Sequence, residues 1–173
     1  MDIQTYIIET KRTKIRPLTP KDAEHFYMLN QDPEVLKYTG DVPFKNIDAA
    51  REFLEKYNQY EKYGVGRMAV IDKETHEFLG WCGLKYSPNL DEYDIGFRFF
   101  KRYWNKGYAT ETSEAFIDYG FNALKLNEIV GRAMVENIAS VKVLQKIGMI
   151  LSKTFDFEGH KGVIYSIKNN TIN

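Results

Sequence analysis

The sequence predicts an α/β domain whose central sheet mixes antiparallel and parallel pairings and is flanked by helices. Three observations carry that reading. In the segment 94–100, Ile95, Phe97 and Phe99 interleave with Asp94, Gly96 and Arg98, the period-two pattern of a half-buried strand. In the segment 108–124 the period changes, with Ala109, Thr112, Phe116, Tyr119 and Ala123 at helical spacing. The order of segments completes the picture: two helical stretches, then strands joined by polar turns, then strand–helix–strand–helix–strand.

Taken in order, residues 3–17 mix β-branched and charged side chains and read as extended, ending at Pro17. Thr19 is the natural N-cap of the first helix, with Pro20 at its first position and Asp22 in its first turn. Ala23, Phe26, Tyr27 and Leu29 give that helix an apolar face. "DPEVLKYTGDVPF" reads as a short helical turn and an irregular loop between Pro33 and Pro43. Asp48 is the candidate cap of a second, long helix carrying Ala49, Phe53, Tyr57 and Tyr60 and closing near Gly64. "RMAVID", the turn "KETHE" and "FLGWCGLKY" form a hairpin, and "SPNLDEY" leads into strand 94–100. After the 108–124 helix, "EIVGRAM" is a strand and "NIASVKVLQKIG" a helix, capped by Asn137 and stopped at Gly148. "MILSKTFDFEGHKGVIYSI" closes the chain as a hairpin. No repeat or linker interrupts the pattern, so a single domain spans 1–173.

Composition narrows the function. The chain is 43% hydrophobic and 14% aromatic, enough for one packed core. Lys plus Arg and Asp plus Glu are 24 each, and a formal charge of zero argues against a duplex-DNA binder. Cys82 is the single cysteine, which excludes an intramolecular disulfide and a cysteine metal cluster. His25, His76 and His160 fall in different elements without metal-ligand spacing, so no metal is expected. No signal peptide and no run of ~20 apolar residues is present, so a cytoplasmic protein without membrane attachment is the expectation.

Chemistry concentrates where strand 94–100 hands over to the next helix through "KRYWNKGYAT". A glycine opening a helix can serve a turn, or it can let an anion reach free backbone N–H groups at the positive end of the helix dipole. Lys101, Arg102 and Lys106 add positive charge. Neither G-x-x-x-x-G-K-[ST] nor G-x-G-x-x-G occurs in the chain, which disfavours an ordinary nucleotide site.

Joined to "ENIASVKVLQKIGM" in this order, the loop resembles that of the GNAT superfamily of acetyl-CoA-dependent N-acetyltransferases. The family's phosphate loop reads Q/R-x-x-G-x-G/A. "WNKGYA" matches at Gly107 and Ala109 and departs by placing Trp104 where Gln or Arg is usual. The wording "YWNKGYATE" and the opening "ETKRTKIRPLTPKDAEHFYMLNQDPEVLKY" are similar to the branch of ribosomal-protein-alanine N-acetyltransferases. The matches run from residue 9 to about 149. The resemblance implies a mixed, mostly antiparallel central sheet flanked by helices and splayed at the acetyl-CoA site. It also implies cofactor contacts at Asn105, Lys106, Gly107, Tyr108, Ala109 and Thr110, mostly through backbone. Arg98 and Phe99 are the matching strand positions for the pantetheine arm and the acetyl carbonyl, and Asn137 the helix-start amide.

Direct transfer requires a neutral amine, a stabilised carbonyl oxygen and a managed leaving thiolate. Many family members carry a Tyr seven residues after the helix-start Asn, and here that position is Leu144. The N-x-x-S pattern of the resembled branch fits Asn137 and Ser140, making Ser140 the candidate proton donor or thiol orienter. Asp94 is the candidate base, with His160 a distant one; Glu111 reads as a first-turn helix acid. Cys82 reads as a small buried residue rather than a nucleophile. Tyr38, Thr39 and Phe44 are the expected acceptor wall, opposite the last hairpin. The acceptor stays open between a protein or peptide N-terminus, favoured by the branch, and a small amine such as a polyamine, amino acid or antibiotic. A CoA-binding regulatory module without turnover is the further alternative, and the chain is expected as a monomer or homodimer.

Overall fold

The computed structural model describes residues 5–170, and backbone pairing divides them into strands and helices close to those the sequence predicts. The chain runs β1 (Ile8–Glu9), β2 (Thr13–Pro17), a 3₁₀ turn (Pro20–Asp22), α1 (Ala23–Leu29), α2 (Pro33–Leu36), α3 (Ile47–Lys56) and α4 (Gln59–Tyr63). It continues through β3 (Arg67–Asp72), β4 (Phe78–Ser87), β5 (Glu92–Phe99), a second 3₁₀ turn (Lys101–Tyr103) and α5 (Tyr108–Asn122). β6 (Glu128–Met134), α6 (Ile138–Lys146), β7 (Ile150–Phe157) and β8 (His160–Lys168) complete it. None of the described helices is long and apolar enough to cross a membrane.

Among the described residues eight strands form one sheet, in the order β1-β2-β3-β4-β5-β6-β8-β7. Only β5 and β6 pair in parallel; the other neighbours are antiparallel. One face is covered by α1 and α3, where Leu18, Phe26, Leu29, Leu54, Ala69, Ile71 and Phe78 pack together. The other carries α5 and α6 over Ile15, Val70, Leu84, Phe116, Ile129 and Leu144. Gly131 lets α6 lie close to the sheet, since a Cβ there would sit 2.5 Å from Leu144 Cδ2.

Three expectations are corrected. The extended segment 3–17 is a hairpin, with Ile8 opposite Ile15 and Glu9 opposite Lys14; its first two residues lie outside the described ones. Asp48 is not the cap of α3. Asn46 is, its Oδ1 accepting from the Ala49 N–H at 2.8 Å, and Asp48 sits in the first turn. The long second helix is two helices, because Tyr57 leaves the helical region (ψ 109°) and Asn58 restarts it. At that break the Tyr57 hydroxyl accepts from the Arg67 N–H (2.9 Å). Tyr60 accepts from the Leu18 N–H (3.0 Å) and donates to the Arg67 carbonyl. Two tyrosines thus stitch the helix break to the ends of β2 and β3.

The feature that positions the site is the seam between β5 and β6. They pair only at Asp94–Val130 and Ile95–Gly131. Beyond that point β5 stays with β4 through Phe99, while β6 stays with β8 through Met134. The sheet opens there into a V.

Candidate active site

The V exposes backbone groups of β5. Phe100 donates its N–H to the Leu79 carbonyl at 3.1 Å. In a trans peptide the Phe99 carbonyl must then point the opposite way, away from β4. There it accepts the Trp104 indole N–H at 2.8 Å. Phe99 is extended, so its own N–H shares that direction and faces the gap. Arg98 points its backbone at β4. Its guanidinium crosses the ring of Trp81 at 5.3 Å and donates to Asn30 Oδ1 and, at 2.6 Å, to Asp41 Oδ2.

The loop after β5 bends back through two left-handed residues, Asn105 (φ 58°) and Gly107 (φ 82°), the latter being the N-cap of α5. No side chain caps this helix. The N–H groups of Tyr108, Ala109 and Thr110 have no intrahelical acceptor and suit an anion. They open onto a cavity of about 600 Å³ between the loop, β5, α2 and α6. Arg98, Phe99, Asn105, Gly107, Tyr108, Ala109, Thr110, Asn137 and Ser140 all line it. Lys142 and Lys146 from α6 add positive charge, and Glu34, Lys37, Tyr38 and Thr39 form the facing wall. A shallower groove of about 870 Å³ between α5 and the last hairpin holds none of these residues.

Lys106 and Asp94 stand outside this lining. The Lys106 carbonyl accepts from Arg12 Nη1 at 2.9 Å. Asp94 is held by Arg67, which pairs with its carboxylate and also donates to its carbonyl (2.9 Å) and to that of Gly83 (2.5 Å). With 14% of its side chain exposed, this carboxylate is committed to the pair. Phe44 also departs from the expected acceptor wall. It turns into an aromatic cluster with Phe26 and Phe53, ring centroids 5.6 and 5.7 Å away. Its loop does meet the last hairpin at Gly40, where an added Cβ would lie 2.8 Å from the Phe157 ring.

On α6, Asn137 Oδ1 accepts the Ser140 N–H at 3.3 Å, the cap that its sequence position predicts. Ser140, half-buried, is among the residues that line the cavity. Leu144, only 1% exposed, points into the core. A hydroxyl at that position would not reach the cavity without moving the helix. Cys82 is buried against Ser113 (Sγ to Oγ 3.6 Å), and burial pushes its thiol pKa up.

Sequence reasoning missed Arg12 and Thr10. Glu111 accepts from the Thr10 hydroxyl (2.6 Å), the Arg12 N–H (2.9 Å) and Arg12 Nε (2.7 Å). Burial works against its charge, but these bonds outweigh it and hold the carboxyl below the usual range. A signal existed in the basic run "KRTK", yet nothing local links it to a residue 99 positions away.

Residues 12–150 match the family model described as an acetyltransferase (GNAT) domain. The uncharacterized N-acetyltransferase p20 of Bacillus licheniformis is 33% identical over 165 residues, covering 91% of this chain and 90% of that protein. The crystal structure of a GNAT-family acetyltransferase from Bacillus anthracis has a TM-score of 0.83 at 28% identity, covering 94% of this chain and 98% of its own. Spermidine N-acetyltransferase from Vibrio cholerae, solved with CoA and spermine, shares the fold at a TM-score of 0.75 and 20% identity, covering 91% of this chain and 95% of its own. With the family model spanning most of its length, the chain belongs to the GNAT acetyltransferases, which draw their acetyl group from acetyl-CoA.

Proposed function

We propose that this chain transfers the acetyl group of acetyl-CoA directly to a primary amine, and that its preferred acceptor is the α-amine of a peptide or protein. The observation that carries the acceptor choice is the Arg67–Asp94 pair. It takes the carboxylate suggested as a base out of play, and the cavity's other two carboxylates, Glu34 and Glu136, are exposed side chains, so in this reading the amine arrives largely neutral by itself. An α-amine near pKa ~8 is about one-tenth neutral at pH 7, whereas an alkylammonium near ~10.4 is neutral in roughly one molecule in 2,500. The resemblance to the ribosomal-protein-alanine branch points the same way.

In this reading the Tyr108, Ala109 and Thr110 amides hold the pyrophosphate of CoA, and Lys142 and Lys146 supply further charge. The Phe99 N–H is the donor available to the thioester carbonyl oxygen, where negative charge grows as the amine attacks. The Asn137 side-chain amide serves the pantetheine arm. The Ser140 hydroxyl orients the departing sulfur, and a serine is too weak an acid to be its main proton source. The cytoplasm, with its acetyl-CoA and reduced thiols, is the compartment that suits such an enzyme with a free Cys82.

A polyamine acceptor is the second reading. Glu34 and Glu136 line the cavity, two exposed carboxylates that a polyamine's ammonium groups could pair with. Initial rates at pH 7 with a free-N-terminal peptide, an N-blocked lysine peptide and spermidine decide between them. The free N-terminus should give the highest kcat/KM; preference for spermidine or the lysine side chain would overturn the α-amine assignment.

A further inference from the structure

A helix that receives a pyrophosphate at its N-terminus carries Glu111 in its first turn, where an unpaired carboxylate would repel the ligand. The β1–β2 turn answers that charge. Arg12 donates through its backbone and through Nε to the two Glu111 oxygens, at 2.9 and 2.7 Å. With Nη1 it grips the Lys106 carbonyl at 2.9 Å, and its guanidinium lies 4.1 Å above the Tyr108 ring. Since the Lys106 carbonyl is drawn toward Arg12, the N–H on the other side of that trans peptide, Gly107's, must point away from it, on the side where Gly107 lines the cavity.

We propose that Arg12 is the positioning residue of the phosphate loop: it cancels the Glu111 charge and holds the Lys106–Gly107 peptide so that its N–H faces the cofactor's pyrophosphate. This rests on the reading that the 105–110 loop binds that pyrophosphate. A guanidinium is suited to the task because its planar fork reaches the carboxylate and the carbonyl together, which a single ammonium cannot match.

The test compares acetyl-CoA with S-acetyl-pantetheine, a donor with the same thioester and no pyrophosphate, across wild type, Arg12→Ala, Arg12→Lys, Glu111→Gln and the Arg12→Ala/Glu111→Gln double variant. Arg12→Ala should raise KM for acetyl-CoA about tenfold or more, as expected for losing hydrogen bonds to a charged group, with kcat changed far less. The acetyl-CoA to acetyl-pantetheine ratio of kcat/KM should fall with it. The double variant should recover part of the loss, because the unpaired carboxylate is gone, and Arg12→Lys should fall between. If Arg12→Ala unfolds, the Arg12→Lys ratio alone decides, and a ratio equal to wild type overturns the proposal. Equal losses with both donors, or no recovery in the double variant, would also overturn it. A wild-type enzyme that uses both donors equally well would instead refute the pyrophosphate reading of the loop.

Discussion

Replacing Gly107 by alanine separates a glycine that serves a ligand from one that serves a turn. The added Cβ meets nothing closer than Arg12 Nη2 at 3.4 Å, so space is not the obstacle. The backbone is, since φ is 82° and an L-residue in the left-handed region costs roughly 1–2 kcal/mol. For a chain of this size that is a fall of roughly 2–8 °C in Tm, at about 2–4 °C per kcal/mol. Relief of the strain would rotate the 105–108 peptides and misdirect amides that suit an anion. Losing one such charge-assisted bond weakens binding by about 10- to 150-fold. Gly64 provides the matched control, with φ 67° at the end of α4 and nothing within 4 Å of its added Cβ. The assay is thermal unfolding with and without acetyl-CoA, ATP serving as the unrelated nucleotide. At ~100 times the wild-type Kd, acetyl-CoA should stabilise wild type and Gly64→Ala by about 2.7 kcal/mol, and Gly107→Ala by only about 0.3–1.4 kcal/mol. Should Gly107→Ala keep the full acetyl-CoA shift while melting as early as Gly64→Ala, the glycine is a turn residue and the phosphate-loop reasoning fails.

Other substitutions probe the rest of the cavity. Ser140→Ala should lower kcat several-fold while acetyl-CoA affinity holds; an unchanged rate across pH removes Ser140 from the reaction. Leu144→Tyr should destabilise by about 1–3 kcal/mol through overpacking and give no gain in turnover. A faster Leu144→Tyr enzyme would mean that α6 presents this position to the cavity after all. Asp94→Asn should cost about 1–3 kcal/mol of stability by leaving Arg67 half-paired, with turnover largely kept in the folded fraction. Abolished turnover in a folded Asp94→Asn protein would restore Asp94 as the base.

What the sequence makes legible is what neighbouring residues decide. The period-two run of β5, the Asn137 cap and the glycine opening α5 are local signals, and each falls within a residue or two of its expected place. Asn46 and Asp48, two residues apart, are both competent caps for α3, and only the Ala49 N–H chooses between them. The break at Tyr57 has no Gly or Pro to announce it; tertiary hydrogen bonds from Tyr57 and Tyr60 accompany it. Pairings of distant residues were invisible for the same reason. Asp94 looks free in a strand until Arg67 arrives from two strands away, and the partnership of Arg12 with Glu111 exists only once β1 and β2 lie beside α5.

An opening inside a sheet is an unfinished surface. An ordinary sheet has two edges; the divergence of β5 from β6 adds two more, facing each other across a narrow slot. Edges invite other strands, and here the cavity at the opening is lined by the start of α5 and by α6. The backbones of the two halves of the sheet, β1–β5 and β6–β8–β7, therefore meet at a seam of two residue pairs, above the core that both halves share under α5 and α6. An amide-bearing arm laid in that slot would act as mortar between them. The protein's mechanical cohesion, and the exchange protection of amides along β6, should then follow the supply of its own substrate.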